Sequence, residues 1–332
     1  MEKVTSESKK TKLNPMVKKS LFALLVAIFC VGLITLIYFL ETPGKILGLS
    51  IFSLIAIFTT FEFCKSFEIP TWSKFIIPSA AVFIMITPFS ENFINFINTP
   101  NSELTDLAAS SKYTNILKEL IQEQFMFYVA GIPGIGFPII FIFVLIPCLF
   151  IKDKAKIIPS FFALLIGIIL ITFSIKFLLY LIILQFSLTL VLITSVVLTD
   201  TFAYFGGRLF GHKLFKKKLA PKISPNKTIE GAIVGFVISS AFLFLIFGLN
   251  YAHIPGGINF GKMNIDPLIS LIVVPITIPI AAIVGDLLFS FIKRKLNIKD
   301  FSNLIPSHGG VLDRFDSLIL VIFTLSFFMS FA

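Results

Sequence analysis

The chain is poor in charge. Asp, Glu, Lys and Arg make up 14% of its 332 residues, against about 25% in an ordinary soluble domain. It holds three cysteines, three histidines and one tryptophan. Cys30, Cys64 and Cys148 lie in or beside apolar runs with no metal-type spacing. That excludes a disulfide framework and leaves them as reduced packing residues. No internal repeat and no low-complexity segment is visible. Gly206 and Gly211 have Walker-type spacing, but His212 stands where that motif needs Lys, which excludes a P-loop ATP site. No obvious small-x-small cleavage site accompanies the first apolar run, so the run is read as an uncleaved helix.

What is abundant is apolar. Hydrophobic residues make up 56% of the chain, and phenylalanine alone occurs 41 times. A soluble fold of this length cannot hide that much apolar surface, whereas a bilayer can. Crossing a hydrocarbon core of about 30 Å at about 1.5 Å per residue takes about 20 residues. The apolar runs predict nine spans, near residues 20–40, 46–62, 75–90, 134–151, 157–174, 177–199, 231–249, 268–292 and 316–332. The fourth carries Gly131, Pro133, Gly134, Gly136 and Pro138, which break or end helices. The expected fold class is all-α, a polytopic integral membrane protein. A basic tail over 1–19 leads into helices over 20–175, with a polar external loop at about 91–124 that has room for an interfacial helix. A region over 176–332 follows, with charged loops over 200–230 and 293–316.

The net charge of +10 at first suggests a nucleic-acid partner. The basic residues instead sit in short stretches between apolar runs, as membrane proteins display them, so no nucleic acid is expected. With the N-terminus inside, all but five of the 28 Lys and Arg residues fall on the inner side. The five are Lys45, Lys112, Lys118, Lys176 and Lys262. This asymmetry predicts a cytoplasmic N-terminus and puts both charged loops in the cytoplasm.

The first loop runs from Asp200 through Arg208 and His212 to the run Lys216, Lys217 and Lys218, then Ser224-Pro-Asn-Lys-Thr228 and Gly231. Lysines and Arg208 supply positive charge, and glycines let backbone N–H groups approach a phosphate chain. The three consecutive lysines read as an anchor for anionic headgroups. Ser224, Asn226, Lys227 and Thr228 read as contacts for a nucleoside triphosphate, beside Pro225, which fixes the backbone.

The second loop starts from a helix. Asp286 lies seven residues before Lys293, about 10 Å deeper along the axis. A charge at the centre of a membrane helix costs about 2.5–3.5 kcal/mol, somewhat less near its end, so Asp286 calls for a partner. Ser290, Lys293 and Arg294 follow at positions that share its face. Asp313 and Asp316 are three apart at the start of the last span and project from one helical face. Carboxylates converging from two helices beside Lys and Arg are what a Mg2+-nucleotide site requires. Two plainer readings stay open. Asp286 need only pair with a neighbouring Lys, and Asp316 is placed to favour a helix N-terminus. Gly309 and Gly310 permit close backbone approach. His308 beside them is open between loop hydrogen bonding and phosphate contact.

Residues Ser290 to Asp316 resemble the signature of the phosphatidate cytidylyltransferase (CDP-diacylglycerol synthase) family. The match runs through Ser290, Ile292, Lys293, Arg294, Lys299, Asp300, Ser302, Ile305, Pro306, His308, Gly309, Gly310, Val311, Asp313, Arg314, Phe315 and Asp316. The stretch from Asp200 to Gly231 is similar to the family's Asp-Thr-x-Ala-Tyr and Ser-Pro-x-Lys-Thr-x-Glu-Gly elements, with Ile229 where many members carry Trp. The resemblance covers residues 195–332 well; the first half matches only as apolar helices.

The resemblance implies a homodimer in the cell inner membrane with a polar cavity open to cytoplasm and bilayer. It implies Mg2+, with a second monovalent ion such as K+. Asp286 and Asp313 would be metal ligands, joined by Asp316, with Ser224, Lys227, Lys293, Arg294 and Arg314 contacting phosphates. The implied reaction condenses CTP with phosphatidic acid to CDP-diacylglycerol and pyrophosphate. Two rivals differ in class. A CTP-dependent lipid kinase acting on a polyprenol-type alcohol would need a base near the hydroxyl. An ion or phosphate transporter would tolerate Asp286 and the helix-breaking Pro275 and Pro279, but would spread polar residues over several helices.

Overall fold

A helix that is apolar on every face needs only its packing face to be shaped, because lipid accepts the rest. Helix α1 (Glu41–Lys65) shows this. Gly44, Gly48, Phe52, Ala56, Thr59 and Phe63 form a buried stripe at helical spacing, while Ile46, Leu54 and Phe58 point away, half exposed. The computed structural model describes residues 28–87, 91–99, 119–120, 122, 136–251, 269–304 and 309–331. The chain divides into two units between Leu36 and Ile37; the described part of the first, residues 28–36, is helical. Lys112, Lys118, Lys262, His253 and His308, and most of the expected loop at 91–124, lie outside the described residues.

After α1 come α2 (Ser73–Ile86), the short α3 (Glu91–Asn98), α4 (Gly136–Leu149), α5 (Lys154–Leu184) and α6 (Phe186–Phe210). A two-stranded antiparallel hairpin follows, β1 (Lys218–Ala220) and β2 (Ser224–Thr228), pairing Lys218 with Thr228 and Ala220 with Ser224. Then come α7 (Ile229–Tyr251), a π-helical turn (Ile269–Val273), α8 (Val274–Lys295) and α9 (Leu312–Phe331). The described residues are all-α apart from this hairpin. Among the described residues five helices are long and apolar enough to cross a bilayer: α1, α5, α6, α7 and α8 with its π turn. The other expected spans fall on shorter apolar helices and on α9. This is the architecture of a polytopic membrane protein.

Three expectations change. The break expected after residue 174 is absent; α5 runs on for 31 residues and the chain turns at Gln185. Lys176, expected in an outside loop, is fully buried in α5. Its ammonium donates to the carbonyls of Ile84 (3.3 Å) and Thr87 (2.5 Å) at the C-terminal end of α2. Lys45, expected in the loop between the first two spans, is buried in α1 and donates to the carbonyls of Phe96 (2.7 Å) and Thr99 (2.5 Å) at the end of α3. Each lysine satisfies carbonyls that a helix end leaves without partners, at the negative pole of its dipole. Finally, the loop expected from residue 200 starts later, because α6 continues to Phe210 and carries Asp200 and Arg208 on the helix. The thiols of Cys64 and Cys148 are free and buried as expected, whereas Cys30 is exposed.

Two close helix contacts bring the polar side chains of the C-terminal half together. On α7, a Cβ at Gly231 would come within 2.4 Å of the Ala203 carbonyl oxygen, and one at Gly235 within 2.5 Å of that of Thr199. Small residues four apart let α6 and α7 touch backbone to backbone, the usual membrane solution where hydrophobic attraction between helices is absent. On α8, Gly285 lies against α9, with room for a Cβ only 3.0 Å from the Asp316 carbonyl oxygen and the Leu320 Cβ. Thr228 starts α7 by accepting the Gly231 N–H on its hydroxyl at 3.1 Å.

Gly235→Leu should therefore lower unfolding stability by about 1–3 kcal/mol or more, the cost of overpacking. Gly248→Ala, whose Cβ meets open space, should stay within about 1 kcal/mol of wild type. Thermal unfolding in detergent checks the pair; equal effects would contradict the contact.

Candidate active site

Helices α6, α7, α8 and α9 and the hairpin meet around one cavity of about 690 Å³. From α6 come Asp200, Tyr204 and Arg208. From the hairpin come Ser224, Asn226, Lys227 and Thr228, from α8 Asp286, and from α9 Asp313, Arg314, Asp316 and Ser317. The close α6–α7 and α8–α9 contacts explain why these side chains share one volume. Gly285 brings the backbones of α8 and α9 together one residue before Asp286 and directly beside Asp316.

The charges are organised in two groups. Near the hairpin, the Lys227 ammonium forms an ion pair with Asp286, whose other carboxylate oxygen accepts the Ser290 hydroxyl at 3.3 Å. Deeper in the wall, Lys293 is buried. Its ammonium lies 2.9 Å from Asp313 and 3.6 Å from Asp316, and 5.4 Å from the centre of the Phe301 ring. Asp313 also accepts the N–H groups of Phe301 (3.0 Å) and Gly310 (2.9 Å). Gly309, at φ +84°, supplies the left-handed turn that aims the Gly310 N–H at this carboxylate. Asp316 accepts the Ser317 N–H at 2.8 Å, and the Ser317 hydroxyl donates to Asp200 at 3.4 Å. Removing one partner of a buried pair such as Lys293–Asp313 leaves an uncompensated charge, a loss of about 3–5 kcal/mol.

Most residues singled out from sequence meet here. Ser224, Asn226, Lys227, Thr228, Asp286, Asp313, Arg314 and Asp316 all line the cavity. Lys293 sits behind the lining, holding two of the carboxylates. Ser290 and Gly310 act on Asp286 and Asp313 respectively. Arg294 turns elsewhere: its guanidinium donates to the backbone carbonyls of Ile223 (3.1 Å) and Ile298 (3.0 Å), tying the hairpin to the end of α8. Lys216, Lys217 and Lys218 are exposed and do not line the cavity. Asp200 and Tyr204 were not identified as site residues from sequence. Asp200, Tyr204 and Arg208 recur every four residues, a signal of one helical face that is lost when the stretch is taken as a loop.

Four carboxylates (Asp200, Asp286, Asp313 and Asp316) thus share a cavity with Lys227, Arg208 and Arg314. Among the described residues no three acidic, histidine or cysteine side chains already form a closed metal cage. A hard divalent cation does not need one: Mg2+ commonly takes one or two carboxylates and completes its shell with water and substrate phosphates. The donor set fits such an ion, and the basic side chains fit the phosphates that accompany it.

The fold and cavity define a polytopic membrane protein whose helix ends surround a site suited to phosphate and metal together. Within that class the chain belongs to the cytidylyltransferase family, whose sequence model matches residues 12–332. It is 42% identical over 132 residues to a phosphatidate cytidylyltransferase of Haemophilus influenzae, covering 40% of this chain and 42% of the relative. It is 39% identical over 159 residues to one from Rickettsia typhi, covering 47% and 65%. A third, from Bacillus subtilis, is 39% identical over 148 residues, covering 44% and 49%. The chain therefore spans between 42% and 65% of the length of these relatives.

Proposed function

We propose that the protein condenses CTP with phosphatidic acid, giving CDP-diacylglycerol and pyrophosphate. The observation that carries this reading is the meeting of Asp286, Asp313, Arg314 and Asp316 from the signature with Ser224 to Thr228 from the hairpin in one cavity. The relatives' names point to the same reaction. A phosphate oxygen of phosphatidic acid attacks the α-phosphorus of CTP. The bond from that phosphorus to the bridging oxygen breaks, and pyrophosphate leaves with its electron pair. The nucleophile is already anionic at neutral pH, so no strong base is required. The obstacle is bringing anions together, so positioning and electrostatics carry most of the catalysis.

The chain's own residues divide that task. Lys227, Arg208 and Arg314 face the cavity and neutralise phosphate charge. Ser224, Asn226 and Thr228 offer hydrogen bonds along the hairpin edge. Lys293 keeps Asp313 and Asp316 oriented. Asp286, Asp313 and Asp316 would hold Mg2+, which would supply positive charge to offset that of the phosphates. A second, monovalent cation such as K+ suits the same oxygen-rich wall. We further propose that the protein lies in the cell inner membrane with the cavity facing the cytoplasm, on the strength of its bacterial relatives and of its basic-residue asymmetry; that it is a homodimer rests on the family resemblance alone.

Orientation is checked with an impermeant thiol reagent in a cysteine-free background. Ser102→Cys and Asn303→Cys should label from opposite sides of the membrane; labelling from one side would overturn the topology. Asp286→Asn should cost about a hundredfold or more in rate, as expected for losing a key electrostatic group, with near-normal expression and unfolding temperature. Activity within a few-fold of wild type would make Asp286 structural. The reaction itself is read from the label. CTP labelled at the α-phosphate, but not at the γ-phosphate, should pass label into lipid when phosphatidic acid is supplied, with release of pyrophosphate. Transfer of the γ-label with release of CDP would instead identify a lipid kinase.

A further inference from the structure

Glu62 sits near the C-terminal end of α1, 4% exposed, far in sequence from the signature. A carboxylate buried among apolar helices is costly unless its oxygens are satisfied. Here both are, by donors from the signature segment. One oxygen accepts the Ser302 hydroxyl at 2.6 Å and the Val311 N–H at 3.0 Å; the other accepts the Leu312 N–H at 2.8 Å. Leu312 is the first residue of α9, so Glu62 caps that helix from another part of the chain. It meets N–H groups that a helix start leaves without partners, at the positive pole of the dipole.

We propose that Glu62 is a positioning residue for the proposed active site, holding in place the segment that delivers Asp313 and Arg314 to the cavity. The inference rests on the function proposed above. Two further contacts support it. A Cβ at Gly310 would lie 2.6 Å from a Glu62 carboxylate oxygen, so the second glycine of the His-Gly-Gly motif leaves the space that Glu62 occupies. Phe63, the next residue of α1, lies 5.8 Å ring to ring from Phe301, and Phe301 donates its N–H to Asp313. Glu62 and Asp313 thus share out the donors of two short stretches, 301–302 and 310–312. Ser302, Val311 and Leu312 go to Glu62, and Phe301 and Gly310 go to Asp313. A shift of α1 is therefore felt at Asp313, and the apolar first half of the chain sets the geometry of the site.

The test uses the full chain in detergent with two readouts. Glu62→Gln keeps the size of the side chain but cannot accept all three donors. Amide exchange in peptides covering residues 300–316 should rise about tenfold, the loss expected on breaking a charge-assisted hydrogen bond. Exchange in α6 and α7 should be unchanged. The CTP concentration giving half-maximal rate should rise at least about threefold, a quantity that a smaller folded fraction does not alter. Ser302→Ala removes one of the three bonds and should show both effects more weakly; it decides the matter by the same readouts if Glu62→Gln does not fold. Unchanged exchange over 300–316, or raised exchange with unchanged CTP half-saturation, overturns the proposal. A wild-type protein that makes no CDP-diacylglycerol would sink the proposed function, while the exchange result would still decide whether Glu62 holds the segment.

Discussion

Every charge that this chain carries into its apolar helices must find its partner inside the protein, because hydrocarbon offers none. That requirement shapes the architecture at each level. Lys45 and Lys176 meet it with the carbonyl ends of neighbouring helices, and so dock α3 and α2 against α1 and α5. Glu62 meets it with the amide end of α9. Lys293 meets it with two carboxylates at once. In each case an interaction needed to tolerate the charge also fixes where two elements sit. Apolar side chains cannot do this alone, because they gain as much from lipid as from one another.

Glycine provides the complement to that pairing. The contacts at Gly231 and Gly235 let α6 approach α7, and the one at Gly285 lets α8 approach α9. The cavity lies where those two helix pairs and the hairpin come together. Side chains as short as aspartate can address a common volume only if their backbones are near. The four carboxylates of the site are all aspartates, consistent with helices packed this closely.

The sequence made some of this legible and hid the rest for physical reasons. Asp286, Asp313 and Asp316 stand out because a charge beside an apolar span is expensive, and all three line the cavity. The helices of the C-terminal half are likewise visible from their apolar runs. The hairpin was not foreseen. A five-residue strand that contains Pro225 has little strand propensity, and its pairing comes from context. Lys45 and Lys176 were expected in water-facing loops because counting basic residues by side assumes that each faces water, whereas both are buried on carbonyls. Glu62 drew no reading from the sequence. Its partners lie 240–250 residues away in sequence, and nothing local announces them.

The ion pair between Lys227 on the hairpin and Asp286 on α8 has a consequence for how guests enter. The pair partly neutralises the cavity from within, one positive and one negative group each engaged by the other. A cation that takes Asp286 releases the Lys227 ammonium for an anion; an anion that takes Lys227 releases Asp286 for a cation. Either guest arriving alone must break the pair and leave one member uncompensated in a half-buried setting. The two arriving together exchange one pair for two. Under the function proposed above, a metal and a triphosphate would therefore favour each other's binding reciprocally.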